Sequence, residues 1–173
     1  MAIRFVGALA VIIGFAGLGM YHAAKEGFRL RELQELKRAL LILASEIEYM
    51  RAPLHLACQS IAGRTSGTVA NFFGNFAQRL AQGEGETTYT HWVAALECVK
   101  PTTFMTREDM LATDNFGKTL GYLDKQMQKN AIDYTVAYID EQVDGLYANG
   151  SKTTRMYRSL GIIAGLLTVI VLW

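Results

Sequence analysis

A chain of 173 residues allows one domain of ordinary size, and 17 Lys plus Arg against 16 Asp plus Glu leave a formal charge of +1. That balance argues against a dedicated nucleic-acid binder, which carries a basic face. Two cysteines argue against a disulfide scaffold, and two prolines with 16 glycines against a Pro-rich or collagen-like chain. A 51% hydrophobic share with only 19% charged is apolar for a soluble domain, where about a quarter of residues are charged. The excess sits at the two ends.

Residues 1–21 hold one charge, Arg4, and 159–173 hold none. The run Phe5 to Tyr21 spans roughly 26 Å as a helix, near the lower limit for a hydrocarbon core of about 30 Å. A cleaved signal peptide competes with an anchor here. His22 stands where a small residue is needed before a cleavage at Ala24, and Lys25, Arg29 and Arg31 follow closely, so the uncleaved anchor is preferred. The final run, Ser159 to Trp173, spans roughly 22 Å and has no polar face, which favours a membrane segment over a buried helix. Lys25, Arg29, Arg31, Lys37 and Arg38 after the first run, and Lys152, Arg155 and Arg158 before the last, place the middle on the cytoplasmic side. Cys58 and Cys98, read as unpaired and reduced, agree.

The middle reads as helices. Leu33, Leu36, Leu40, Leu43, Ile47 and Met50 recur at spacings 3, 4, 3, 4, 3, one stripe of a helix over 28–51 that can continue the first apolar run. Arg31, Glu35 and Arg38 point away from the stripe. Pro53 closes this helix and serves as first residue of a short one through Ile61. Gly63–Gly67 is a loop. Phe72, Phe73, Phe76 and Leu80 mark the next helix, ending at Gln82-Gly-Glu-Gly85. Thr87 or Thr88 caps a helix bearing Trp92, Val93 and Leu96, and Pro101 ends that region. Thr106-Arg-Glu-Asp109 has capping-box spacing. Gly117 and Gly121 bracket a turn, and Asp124 caps a long helix with two apolar stripes. One stripe is Leu123, Met127, Ala131, Tyr134 and Tyr138; the other is Ile132, Val136, Ile139, Val143 and Leu146. Their centres lie roughly 140° apart, so the helix is either central in a bundle or shared with a partner. No alternating run predicts a strand.

Few residues suggest chemistry. Ala112 to Thr119 nearly fits a phosphate-binding loop, but Ala112 replaces its first glycine and an acidic helical stretch precedes it. His22, His55 and His91 are far apart, and the cysteines lack C-x-x-C spacing, so no metal or cofactor is expected. Glu46 and Glu48 face different ways on their helix. Small residues on one helix face, Gly14 and Gly17 with Ala10 in the first run and Gly161 and Gly165 in the last, allow close helix contact in lipid.

The string Leu43-Ala-Ser-Glu46-Ile47-Glu-Tyr49-Met-Arg-Ala-Pro53-Leu54 resembles an element of the stage III sporulation protein AB family. Phe73, Phe76, Ala77 and Leu80, then Trp92, then Phe116, Gly117, Leu120, Gly121, Asp124 and Gln128 follow in that family's order. So does the ending Tyr157-Arg158-Ser159-Leu160-Gly161 with its apolar tail. The resemblance covers nearly the whole chain. It implies a protein of spore-forming bacteria in the mother-cell membrane around the forespore, within a multi-protein channel or transport complex. It further implies similarity to the helical cytoplasmic domains of type II secretion and type IV pilus platform proteins, with a secretion-type ATPase as companion. The long helix departs from the family pattern: Ile132 to Tyr138 is richer in Ile, Val and Tyr than the charged stretch expected there.

These readings converge on an all-α antiparallel helical bundle (25–158) between an N-terminal anchor (1–24) and a C-terminal membrane segment (159–173). The expected role is non-enzymatic: a platform coupling the ATPase to membrane partners, with other sporulation channel proteins and a second copy of itself as further partners. No nucleic acid or small-molecule substrate is expected. Arg31, Glu35, Arg38, Ile139 and Val143 are the expected partner-facing positions. The rival readings are a tethered nucleotide-binding subunit using Gly117-Lys118-Thr119, and an exported adaptor.

Overall fold

The structure, a computed structural model, describes residues 2–49, 53–83, 85–120 and 126–148. The described residues form six helices and no strand: α1 (Ala2–Tyr49), α2 (Leu54–Arg64), α3 (Gly67–Gln82), α4 (Thr88–Val99), α5 (Arg107–Gly117) and α6 (126–148). The chain is all-α, as its periodicities predict. It divides into two compact units, one of them Arg29–Val143, and the side-chain contacts described below belong to that unit. The other takes the residues on either side; its described part is helical, in α1 and at the end of α6.

The α1 stripe is the inner wall of the bundle. Leu33, Leu36, Leu40 and Leu43 are buried, with Ala39 between them. Pro53 is the cap of α2 rather than its first residue: its carbonyl accepts from Leu56 N and Ala57 N. The helix then outruns its expected end by a turn, to Arg64, and the connection to α3 shortens to Thr65-Ser66. Gly83 closes α3 at φ 63°, a left-handed conformation that an L side chain resists. Thr87 Oγ1 accepts from Thr90 N at 3.2 Å, so Thr87 caps α4. At α5 both halves of the capping box form, Asp109 N to Thr106 Oγ1 and Thr106 N to Asp109 Oδ2. Asp lies one methylene short of the usual Glu and still reaches back.

The core centres on Trp92. Its ring meets Phe72, Phe76 and Phe116 edge-on at 4.6, 5.0 and 5.5 Å between centroids, drawing α3, α4 and α5 together. Its indole N–H donates to the Thr113 carbonyl at 3.0 Å, so the one polar atom of the ring is satisfied inside. Gly117 lies against the same ring. A Cβ there would fall 2.1 Å from Trp92 Cδ1, so the position admits only glycine without displacing the indole.

One expectation is overturned. Among the described residues no helix is long and apolar enough to cross a membrane. The expected localisation, an integral protein of the mother-cell membrane with a cytoplasmic middle, is therefore not supported. Gly14 and Gly17 fall on α1, while the segment 159–173 with Gly161 and Gly165, and Tyr157 and Arg158 before it, lies outside the described residues.

Candidate functional site

The polar residues of α1 are mostly spent within the bundle. Arg29 grips Asp109 on α5 with two bonds, Nε to Oδ2 at 2.7 Å and Nη2 to Oδ1 at 2.9 Å. The same Nη2 donates to Gln142 Oε1 at 3.0 Å, and Tyr138 OH donates to Asp109 Oδ1 at 3.0 Å, both from α6. The Asp109 residue is 1% exposed and accepts from three helices' worth of donors through one carboxylate. Burial pushes that carboxyl up, but the Arg29 guanidinium and the Thr106 amide outweigh it and hold the group below its ordinary value. The bond to Asp109 raises Arg29 against the opposing effect of burial. Burial, then the Asp109 charge, push the Tyr138 hydroxyl from 10.0 to about 12.

Further ties run along α1. Glu32 accepts from Thr68 Oγ1 on α3, from Thr103 Oγ1 and from Phe104 N, each at 2.7 Å. Glu35 accepts from Ser66 N at 3.1 Å. Lys37 pairs with Asp140 at 2.5 Å and Glu48 with Lys129 at 3.5 Å. α1 is thereby tied by polar bonds to other segments from Arg29 to Lys37 and again at Glu48, and between them Leu40 and Leu43 are buried in the apolar core.

The residues singled out by sequence divide accordingly. Arg31 and Arg38 are exposed. Glu35 is half-buried and bonded to the α2–α3 connection. Ile139 is 1% exposed, a core residue with Ile132, so its expected partner-facing role is corrected; Val143 is half-buried. The other expected stripe of α6 is the open one: Met127 and Tyr134 face solvent, while Tyr138 turns in to Asp109. Of the family-pattern residues, Glu46 and Gln128 are half-buried, Tyr49 ends α1, Pro53 caps α2, and Trp92, Gly117 and Leu120 are core. Gly121 and Asp124 lie outside the described residues. Sequence reasoning did not find the Arg29–Asp109–Tyr138 cluster. Asp109 showed only as a helix cap and Arg29 only as one of several basic residues; the single hint was Asp in the place of Glu.

The phosphate-loop reading fails on geometry. Ala112 through Gly117 is helical, so its amides bond along α5. Lys118 N, Thr119 N and Leu120 N donate to Asp114, Phe116 and Gly117 carbonyls, and Lys118 Nζ rests on Asn115 Oδ1 at 2.8 Å. No amide is left to wrap a phosphate. Among the described residues no group of His, Cys, Asp and Glu could hold a metal ion. Both cysteines are free, and burial pushes Cys58 up to about 12, which keeps it a neutral thiol.

This is an all-α bundle protein whose first helix is clamped by polar contacts, the most buried of them at Asp109. The family model for stage III sporulation protein AB matches residues 4–173. Stage III sporulation protein AB of Bacillus subtilis (strain 168) is 28% identical over 170 residues, which cover 98% of this chain and 99% of that protein. A solved structure of stage III sporulation protein AB (SpoIIIAB) matches with a TM-score of 0.67 and 28% identity over 71% of this chain and 96% of that one. The chain belongs to the stage III sporulation protein AB family.

Proposed function

We propose that this chain is a non-enzymatic platform component of a sporulation transport or channel complex, coupling a secretion-type ATPase to other proteins of that complex. Membership of the family supports a place among sporulation proteins. The observation that carries the coupling is the bracing of α1. Arg29, Glu32, Glu35, Lys37 and Glu48 tie it to α3, the 103–104 segment, α5 and α6. A helix tied from Arg29 to Lys37 and again at Glu48 moves with its bundle, so a load on one is passed to the other. The polar clusters have the composition of a brace: charge-assisted bonds, one of them bidentate.

The test is crosslinking of the tagged full chain in sporulating cells, followed by identification of the captured proteins. A secretion-type ATPase among them is expected, and its capture should fall when Asp109→Ala loosens the brace in chain that still folds. Capture of sporulation proteins with no ATPase would overturn the coupling. A Lys118-dependent affinity of the purified chain for ATP, lost in Lys118→Ala, would overturn the non-enzymatic reading in favour of a nucleotide-binding subunit.

A further inference from the structure

We propose that the open face of α1 receives a second copy of this chain, through the open face of that copy's α6, in a head-to-tail arrangement. The internal pairs consume Arg29, Glu32, Glu35, Lys37 and Glu48 on α1, and Lys129 and Asp140 on α6. Along the stretches that would meet, what is left over is of one sign on each helix: basic from Arg29 to Ser45 of α1, acidic on α6. On α1, Arg31 and Arg38 are exposed and have no ion pair among the described residues; on α6, Asp133 and Glu141 stand likewise.

Each face also carries uncovered apolar surface beside its charge. Leu41 is 49% exposed and, with Arg38 and Ile42, lines a shallow groove of about 340 Å³ on α1. Tyr134 is 80% exposed and Met127 53%. An exposed tyrosine flanked by charge is the kind of residue that anchors an interface once a pocket covers it.

Spacing selects one register. Arg31 and Arg38 are seven residues apart, roughly 10.5 Å along the helix, and Asp133 and Glu141 eight, roughly 12 Å. Antiparallel pairing sets Glu141 against Arg31 and Asp133 against Arg38, which lays Tyr134 and Met127 over the groove at Leu41. Parallel pairing would match the charges but leave the groove unfilled. Because the two faces differ, each copy keeps one of each open, and the contact repeats as a ring or a filament.

This goes beyond the coupling role and does not depend on it: ATPase capture is read separately and survives if self-association fails. The test is sedimentation of the full chain over a range of concentration and salt. The unaltered chain should associate with concentration, and salt should weaken the association. Arg31→Glu and Glu141→Arg should each lower the association constant roughly tenfold or more. An equal mixture of the two variants should associate again, because Glu141 of the first meets Arg31 of the second and the reversed residues also pair. Rescue by the mixture excludes misfolding as the cause of the loss. A chain that stays single at every concentration, variants that associate unchanged, or a mixture without rescue would each overturn the proposal.

Discussion

Two clusters hold the Arg29–Val143 unit together, and they do so by opposite means. Around Trp92 the bundle is joined by aromatic edges, with a single hydrogen bond satisfying the indole. Around Asp109 it is joined by one carboxylate shared among Arg29, Thr106 and Tyr138. The aromatic cluster draws its stability from volume and buried area, which pH and salt hardly touch. The polar cluster has paid desolvation to form its bonds, so its net contribution is modest while its loss is costly. The first supplies most of the stability; the second fixes where α1 lies against α5 and α6.

Perturbations should separate the two. Trp92→Ala should have the largest effect, about 3–5 kcal/mol by chemical denaturation, since it empties a site to which four other rings converge. Against a usual margin of 5–15 kcal/mol that is enough to threaten folding. Asp109→Ala should cost about 3 kcal/mol, at the low end for a broken buried pair because Arg29 keeps some access to water. The same site should set the acid limb. The Asp109 carboxyl is held below its ordinary value, so its contribution is complete above about pH 4 and is lost as pH falls through the folded value. In Asp109→Asn, a melting-temperature series from pH 7 to pH 2 should be flatter than in the parent, whereas Trp92→Ala should lower the curve without changing its slope.

Smaller changes sharpen the contrast. Gly117→Ala should cost about 1–3 kcal/mol through a steric clash alone, and the near-ultraviolet dichroism of Trp92 should change with it. Tyr138→Phe removes one bond to a charged group and should cost about 1 kcal/mol near neutrality. Its raised value means the parent loses stability as pH rises from 10.0 to about 12, and unfolding followed across that window should show this part of the loss absent in the variant. Arg31→Ala, exposed and without an ion pair among the described residues, should leave stability within about 0.5 kcal/mol. A larger change would show that the outer face of α1 takes part in the fold.

How much of this was legible in the sequence follows from the range of each interaction. The α1 stripe, the caps at Thr87 and Thr106 and the stop at Gly83 depend on residues within a turn or two of one another, and each is present where the pattern placed it. The long helix shows where that reasoning ends. Both of its stripes are apolar in sequence, and spacing alone cannot say which one the bundle covers. Ile132 and Ile139 are inside, Met127 and Tyr134 are outside, and Tyr138 belongs to the polar cluster despite its place in the outer stripe. Gly117 shows the same limit: beside Lys118 it offered only the phosphate-loop rival that its context argued against, whereas it is small because Trp92 occupies the space a side chain would need.

Local periodicity, capping and charge pattern therefore determined that the described part of this protein is helical, where several of its helices begin or end, and to which family its strings point. Only the tertiary structure decided what those helices do to one another. Asp109 meets Arg29 across 80 residues and Tyr138 across 29, and Glu32 meets Phe104 across 72. Such contacts exist only once chain segments with no sequence relation have been brought side by side. A buried carboxylate and a solvated one look identical in sequence, and burial with its partners is what turned this one into a clamp.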